Sequence, residues 1–295
     1  MQVGIAGLGA MGANIAARLM EVGHQVTVWN RHPDKAKPLA AAGAKVAMSP
    51  AALTGAVETV LTSLTDAAAI EAVYNGPNGL LFGDVKDRLF IEMSTVAPKV
   101  ESDLASKVRA KGAAFVECPV GGTTGPARQG KLLGLMGAEP ADAERARPIL
   151  EQLCRKVEHC GPVGAGSAMK LAINLPLMVA WQAYGEAFAL ARQVGLEPKR
   201  LMDLFVESSG ANNGLKTRAE MIVAMLEGRD PGPTTFTIDN ARKDLRTMIE
   251  AGRALGADMV ATTAALAGFD DAAKHGQGGG DGARLSVYWS TRKQH

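Results

Sequence analysis

A chain of 295 residues, 47% hydrophobic and only 4% aromatic, is long enough for two medium domains with cores of Ala, Val, Leu, Ile and Met. A formal net charge of +2, with no block of Lys and Arg interleaved with aromatics, gives no electrostatic case for a nucleic acid or a membrane surface. Cys118, Cys154 and Cys160 have neither metal-type spacing nor an even count. They point to a reduced, cytoplasmic setting, and a strand starting at Gln2 leaves no room for a targeting segment. The apolar stretch Leu171–Ala191 is interrupted by Asn174, Pro176, Gln182 and Glu186, which argues against a membrane span.

In chain order, the first half alternates strand-like and helix-like segments, as parallel βαβ units do. Strands are predicted at Gln2–Ala6, Gln25–Trp29, Val57–Ser63, Leu89–Glu92, Ala114–Glu117, Leu132–Met136 and Val157–Cys160. Helices are predicted at Met11–Val22, Pro33–Ala42, Ala67–Tyr74, Pro98–Lys111 and Ala141–Leu153. Between the first strand and helix stand Gly7-Leu8-Gly9-Ala10-Met11-Gly12. Glycines at this spacing permit a tight turn, close approach of backbone to a pyrophosphate, and close packing of helix on strand. The phosphates would then meet free N–H groups at a helix N-terminus.

At the end of the second strand, about 20 residues beyond such glycines, an NAD-binding protein usually keeps an acid for the ribose hydroxyls. This chain has Asn30-Arg31 instead, with Lys35 close behind. A carboxylate would repel a 2′-phosphate, whereas Arg31 would attract one with a charge-assisted fork. NADP is therefore favoured over NAD. The competing reading is a solvated Arg31, with Asp34 taking the ribose.

After Gly161-Pro-Val-Gly-Ala-Gly166 the character changes. Ser167–Val194 reads as one long helix with almost no polar stripe, as expected of a helix buried all round, between domains or between subunits. Further helices are predicted at Pro198–Glu207, Lys216–Leu226, Ile238–Ala254 and Val260–His275, with a last one after the turn Gly276–Gly280. A nucleotide-binding domain at 1–162 and an all-helical domain at 163–295 are the expectation.

Lys170 and Asn174, one turn apart, project from the same face of the long helix. An ammonium on an apolar surface must be paired or have a lowered pKa, which suits proton transfer; taken alone, Lys170 reads rather as a side chain snorkelling from a helix end to water, and its place after a Gly-x-Gly turn at the domain junction shifts the balance. The loop Glu117–Gly125, with Gly121, Gly122, Thr123 and Thr124, follows a strand end and offers N–H groups and hydroxyls to a carboxylate, or is merely a tight connection. Ser94 and Thr95 follow another strand and could touch the nicotinamide ribose. Lys243 adds a cation on a later helix. The histidines show no metal spacing.

Taken together, Gly7–Gly12, Glu92-Met-Ser-Thr95, Cys118-Pro-Val-Gly-Gly122, Gly164-Ala-Gly-Ser-Ala-Met-Lys170 with Asn174, and Lys243-Asp244-Leu245 make the chain resemble the β-hydroxyacid dehydrogenase family. That family includes 3-hydroxyisobutyrate dehydrogenase, tartronate semialdehyde reductase and the glyoxylate/succinic semialdehyde reductases. The resemblance implies an α/β fold: a Rossmann-type N-terminal domain, then an all-helical 6-phosphogluconate-dehydrogenase-like C-terminal domain that pairs with its copy in a homodimer or homotetramer. It implies hydride transfer between NADP(H) and a small β-hydroxy acid or the matching aldehyde acid. Lys170 would be the general acid/base and Asn174 the residue that orients the reacting hydroxyl. Gly121, Gly122, Thr123 and Lys243 would face the substrate. Gly7, Leu8, Gly9, Ala10, Met11, Gly12, Asn30, Arg31, Lys35, Leu64, Ser94, Thr95 and Lys243 would face the cofactor. Two departures stand out: Gly121 replaces the family's serine, and Leu175-Pro176 follow Asn174, so that Pro176 is expected to kink the helix. Imine reductases share this fold but commonly replace the lysine. A non-catalytic NADP-binding module is the remaining alternative.

Overall fold

The computed structural model describes residues 1–292 and divides into two compact units, Met1–Lys170 and the residues from Leu171 onward. The first unit begins β1 (Gln2–Ala6), α1 (Ala10–Glu21), β2 (Gln25–Trp29), a 3-10 turn at Pro33–Ala36, α2 (Lys37–Ala41), β3 (Lys45–Val46), α3 (Pro50–Ala56) and β4 (Thr59–Thr62). It continues with α4 (Ala67–Asn75), β5 (Leu89–Glu92), α5 (Pro98–Ala110), β6 (Ala114–Glu117), β7 (Val120–Gly121), α6 (Thr124–Arg128), β8 (Leu132–Gly137), α7 (Pro140–Leu153) and β9 (Cys154–Gly161). α8 (Ala165–Ala191) then leads into α9 (Pro198–Glu207), α10 (Asn213–Leu226), α11 (Ile238–Ala254), α12 (Val260–Ala272) and α13 (Arg284–Thr291).

The strands lie in the order β3-β2-β1-β4-β5-β6-β8-β7, with β9 beside β8. The six strands from β3 to β6 pair in parallel, the doubly wound arrangement whose strand order reverses beside β1. Ligands in such sheets bind beyond the carboxyl ends at that reversal. Expected parallelism fails at the far edge, where β8 runs antiparallel to both β6 and β7. The connection from β6 to β8 is taken up by β7, which pairs antiparallel with β8, and by the short α6, so it holds no long crossover helix of the kind that links parallel strands.

Successive strand residues feed opposite layers. Leu89, Ile91 and Val116 join Ile15, Leu19 and Ile149 on one face. Phe90 and Phe115 join Leu53, Ile70, Tyr74 and Leu104 on the other. Near-continuous apolar strands, with helices covering both faces, are the reason these segments read clearly in the sequence. The second unit has its own core, built around Met178, Trp181, Phe188, Ile222, Leu245 and Phe269.

Four short elements escape the sequence patterns. β3 and β7 have two residues each, too few to show alternation. α3 and α6 are seven and five residues long. α3 nevertheless carries legible start signals, Ser49 accepting from Ala52 N and Pro50 in the first turn. The single helix expected over Pro33–Ala42 splits into a 3-10 turn and α2, because Pro38 has no N–H to donate to the Asp34 carbonyl. At the end of α12 the chain passes into a wider turn over Ala273–Gln277, where Gly276 takes φ +79°, so the helix expected to His275 stops earlier.

α8 runs unbroken through Pro176, and within one chain it is not buried all round: Met169, Ile173 and Leu190 are exposed. The carbonyl that Pro176 deprives of its donor belongs to Ala172, an exposed residue, so water can satisfy it.

Candidate active site

The carboxyl ends of β1, β2, β4, β5 and β6 form one edge of the first unit, and most of the expected residues of that unit stand on it. Gly7 takes φ +96°, and a Cβ there would lie 2.2 Å from the Ser63 carbonyl oxygen, so the loop after β1 is pressed against the loop after β4. A Cβ on Gly12 would lie 1.9 Å from the Gly7 oxygen. Gly9 is different: a Cβ would meet nothing within 4 Å, leaving open space beside the residue that precedes α1. No side chain caps α1, so the N–H groups of Ala10, Met11 and Gly12 face that space. A tight turn, an open approach and a close packing contact, in that order, fit the pyrophosphate of a dinucleotide.

Asn30 does not stand free at the end of β2. Its Oδ1 accepts from Leu8 N at 2.8 Å and its Nδ2 donates to the His32 carbonyl, so it ties the glycine loop to β2. Arg31 and Lys35 are exposed. Asp34, the alternative ribose ligand, is paired at 2.6 Å with Lys37 on the surface. Leu64 N donates to Ser94 Oγ at 2.7 Å, which joins the loops after β4 and β5 beside Gly7. Thr95 follows, half-buried. Gly121 ends β7, Gly122 has φ +125°, and Thr123 precedes α6 without using its hydroxyl as a cap.

Sequence reasoning gave no role to the acids that end two strands. Glu92 and Glu117 are in-register neighbours on β5 and β6, beside Thr62 on β4. Their strands read Leu-Phe-Ile-Glu and Ala-Phe-Val-Glu, and that shared ending was the available signal. Glu92 accepts from Ser94 N at 2.6 Å and from Thr62 Oγ1 at 2.7 Å, which sets the Ser94 loop. Burial pushes the Glu92 carboxyl up to about 7 against the pull of these donors. Glu117 accepts from Gly164 N, Gly166 N and Ser167 Oγ at 2.6, 2.8 and 2.7 Å. Burial raises it as well. Glu101 on α5 is buried with neither oxygen hydrogen-bonded. Burial first, then the neighbouring Glu92 and Glu117, raise its carboxyl well above the ordinary value.

Lys170 lies on the second turn of α8, buried at 7% exposure, and Asn174, half-buried, follows one turn later. Glu117, at the carboxyl end of β6, binds the first turn of α8, one turn before Lys170. Lys243, on α11 of the second unit, is paired at 2.7 Å with the buried Asp244. Cys118 is fully buried and its thiol is pushed well up by burial, so it is inert packing. Among the described residues no group of His, Cys, Asp or Glu could hold a metal ion, and no helix is long and apolar enough to cross a membrane.

A doubly wound sheet with a glycine loop at its strand-order reversal, followed by a helical unit, defines a dinucleotide-binding oxidoreductase. Residues 2–161 match the family described as the NAD binding domain of 6-phosphogluconate dehydrogenase, and residues 164–288 that of NADP-dependent 3-hydroxyisobutyrate dehydrogenase. A 2-(hydroxymethyl)glutarate dehydrogenase of Eubacterium barkeri is 29% identical over 98% of this chain and 95% of its own length. A chloroplastic glyoxylate/succinic semialdehyde reductase of Arabidopsis thaliana is 31% identical over 83% of this chain and 67% of its own. A solved structure, Psf3 in complex with NADP+ and 2-OPP, aligns with a TM-score of 0.85 at 26% identity, over 97% of this chain and 99% of that one. The chain belongs to the β-hydroxyacid dehydrogenase family and is an NAD(P)-dependent oxidoreductase acting on CH–OH groups.

Proposed function

We propose that the enzyme interconverts a short β-hydroxy acid and the corresponding aldehyde acid with NADP as its preferred cofactor, and that Lys170 is the general acid/base. The observation that carries this reading is a buried amine on α8, one turn beyond the segment anchored to the carboxyl end of β6. When bound, the nicotinamide supplies or accepts the hydride. Lys170, as ammonium, donates its proton to the substrate oxygen in reduction; as a neutral amine it takes that proton back in oxidation. Asn174 orients the same oxygen, while Gly121, Gly122, Thr123 and Lys243 hold the acid end. Gly7, Leu8, Gly9, Ala10, Met11 and Gly12 receive the pyrophosphate, and Leu64, Ser94 and Thr95 line the nicotinamide side. Asn30 acts by shaping the glycine loop, and the domains divide at 162/163.

Arg31 and Lys35 carry the preference for NADP, since both are exposed and the nearby acid is neutralised by Lys37. A charge-assisted fork on a 2′-phosphate is worth about 1.5–3 kcal/mol, or roughly a 10- to 100-fold change in affinity. Arg31→Ala should therefore weaken NADPH binding by roughly that factor and leave NADH nearly untouched, read by fluorescence titration. A spectrophotometric screen of NADPH and NADH against glyoxylate, succinic semialdehyde and tartronate semialdehyde tests the reaction. Turnover of at least one acid supports it. Binding without consumption of NADPH across the screen would leave a cofactor-binding module, and activity only on imines would transfer the chain to the imine reductases.

The exposed apolar residues Met169, Ile173 and Leu190 on α8 favour a homodimer or homotetramer. Light scattering should return at least twice the 30.7 kDa chain mass. Three unpaired cysteines, two of them buried, suit the cytoplasm.

A further inference from the structure

We infer that Glu117 is a positioning residue for Lys170, clamping the first turn of α8 so that the amine is held in one direction. The inference rests on the proposed role of Lys170. Three donors converge on this one carboxylate: Oε1 takes Gly164 N and Gly166 N, and Oε2 takes Ser167 Oγ. The first N–H groups of a helix have no partner within the helix, and here a side chain from a distant strand supplies one.

The surroundings are shaped for it. A Cβ on Gly137, the β8 residue in register with Glu117, would stand 2.2 Å from Oε1, inside the carboxylate's own volume. A Cβ on Gly166 would lie 2.3 Å from the Leu135 oxygen and 3.2 Å from Oε1. Gly164 reaches the carboxylate with φ +103°, which L side chains rarely adopt. Two glycines thus make room for the carboxylate, and a third turns its N–H toward it.

Two contact points on α8, a backbone N–H and a hydroxyl on adjacent residues, fix the helix against sliding and against rotation about its axis. Lys170 is four residues beyond Gly166 and three beyond Ser167, hence on the turn directly above them.

The test combines four variants with steady-state kinetics and the pH titration of the Lys170 Cε resonance in 13C-lysine-labelled protein, assigned by its loss in Lys170→Ala. Glu117→Ala should lower kcat about 10- to 100-fold through displacement of the amine and move the Lys170 midpoint by about half a pH unit or more. Glu117→Gln keeps an acceptor for the two N–H groups and can donate to Ser167, so it should recover most of the rate. Ser167→Ala, which removes one arm, should fall about threefold or more. A folded Glu117→Ala protein with the wild-type Lys170 midpoint overturns the inference, whatever its kcat. If Glu117→Ala does not fold, Ser167→Ala decides: wild-type rate and midpoint overturn the inference, and a loss in both upholds it. Lys170→Ala reports separately on the role of the amine, because the midpoint measures its surroundings whether or not it is the proton donor.

Discussion

Lys170→Ala should lower kcat by about 10²–10⁴-fold, the usual contribution of a positioned general acid or base, while leaving the dissociation constant for NADPH unchanged. The cofactor contacts assigned here lie mainly on the loops after β1, β2, β4 and β5, and the substitution touches none of them. Lys170→Arg should be nearly as slow, since a guanidinium cannot release its proton in the working pH range. The pH dependence of kcat/KM should lose the limb that the lysine contributes. Retention of more than about a tenth of wild-type turnover by the alanine variant, at full cofactor binding, would exclude Lys170 from the chemistry.

The second large effect is on stability. In the folded chain Glu92, Glu101 and Glu117 all have raised pKa values, whereas in the unfolded chain each carboxyl ionises near 4.5. Above that pH the unfolded state binds fewer protons than the folded one, so stability falls as pH rises, by up to about 1.4 kcal/mol per pH unit for each such carboxyl. For Glu92 the loss runs from about 4.5 to about 7; for Glu101 it starts at the same point and runs up through a value that burial raises well above the ordinary one. Glu101→Met keeps the side-chain length and removes two buried oxygens without hydrogen bonds. It should stabilise the protein by about 1–3 kcal/mol at neutral pH, with a gain that grows as pH rises. Glu92→Gln keeps an oxygen that accepts from Ser94 N and turns an amide N–H toward Thr62 Oγ1, which can accept it, and should flatten the profile only between about 4.5 and 7. Urea midpoints measured across pH 4–9 read both effects. A Glu101→Met profile parallel to the wild type would show that Glu101 does not titrate late.

These carboxylates also mark where sequence reading runs out. Glu92 and Glu117 are far apart in the chain, and nothing in either strand says that register will set them side by side beneath Glu101. Glu117 in particular looks like the polar end of a strand, until the fold brings Gly164, Gly166 and Ser167 to it. Asn30 was legible as the residue at the ribose position, but not as the latch on Leu8 N, because that bond depends on how β1 and β2 lie together.

What the sequence determined alone is local or repetitive. Apolar strands buried on both faces, capped and Pro-initiated helices, and Gly7, Gly9 and Gly12 at fixed offsets each state their conformation within a dozen residues. The positions of Lys170 and Asn174 on one helix face belong to the same category, since helical periodicity fixes them. Tertiary structure decided the antiparallel turn of β8, the exposure of one side of α8 and the raised pKa values of the three buried acids. Each of these depends on distances between segments remote in the chain. Neither residue pattern nor spacing encodes such distances before the sheet has closed around them.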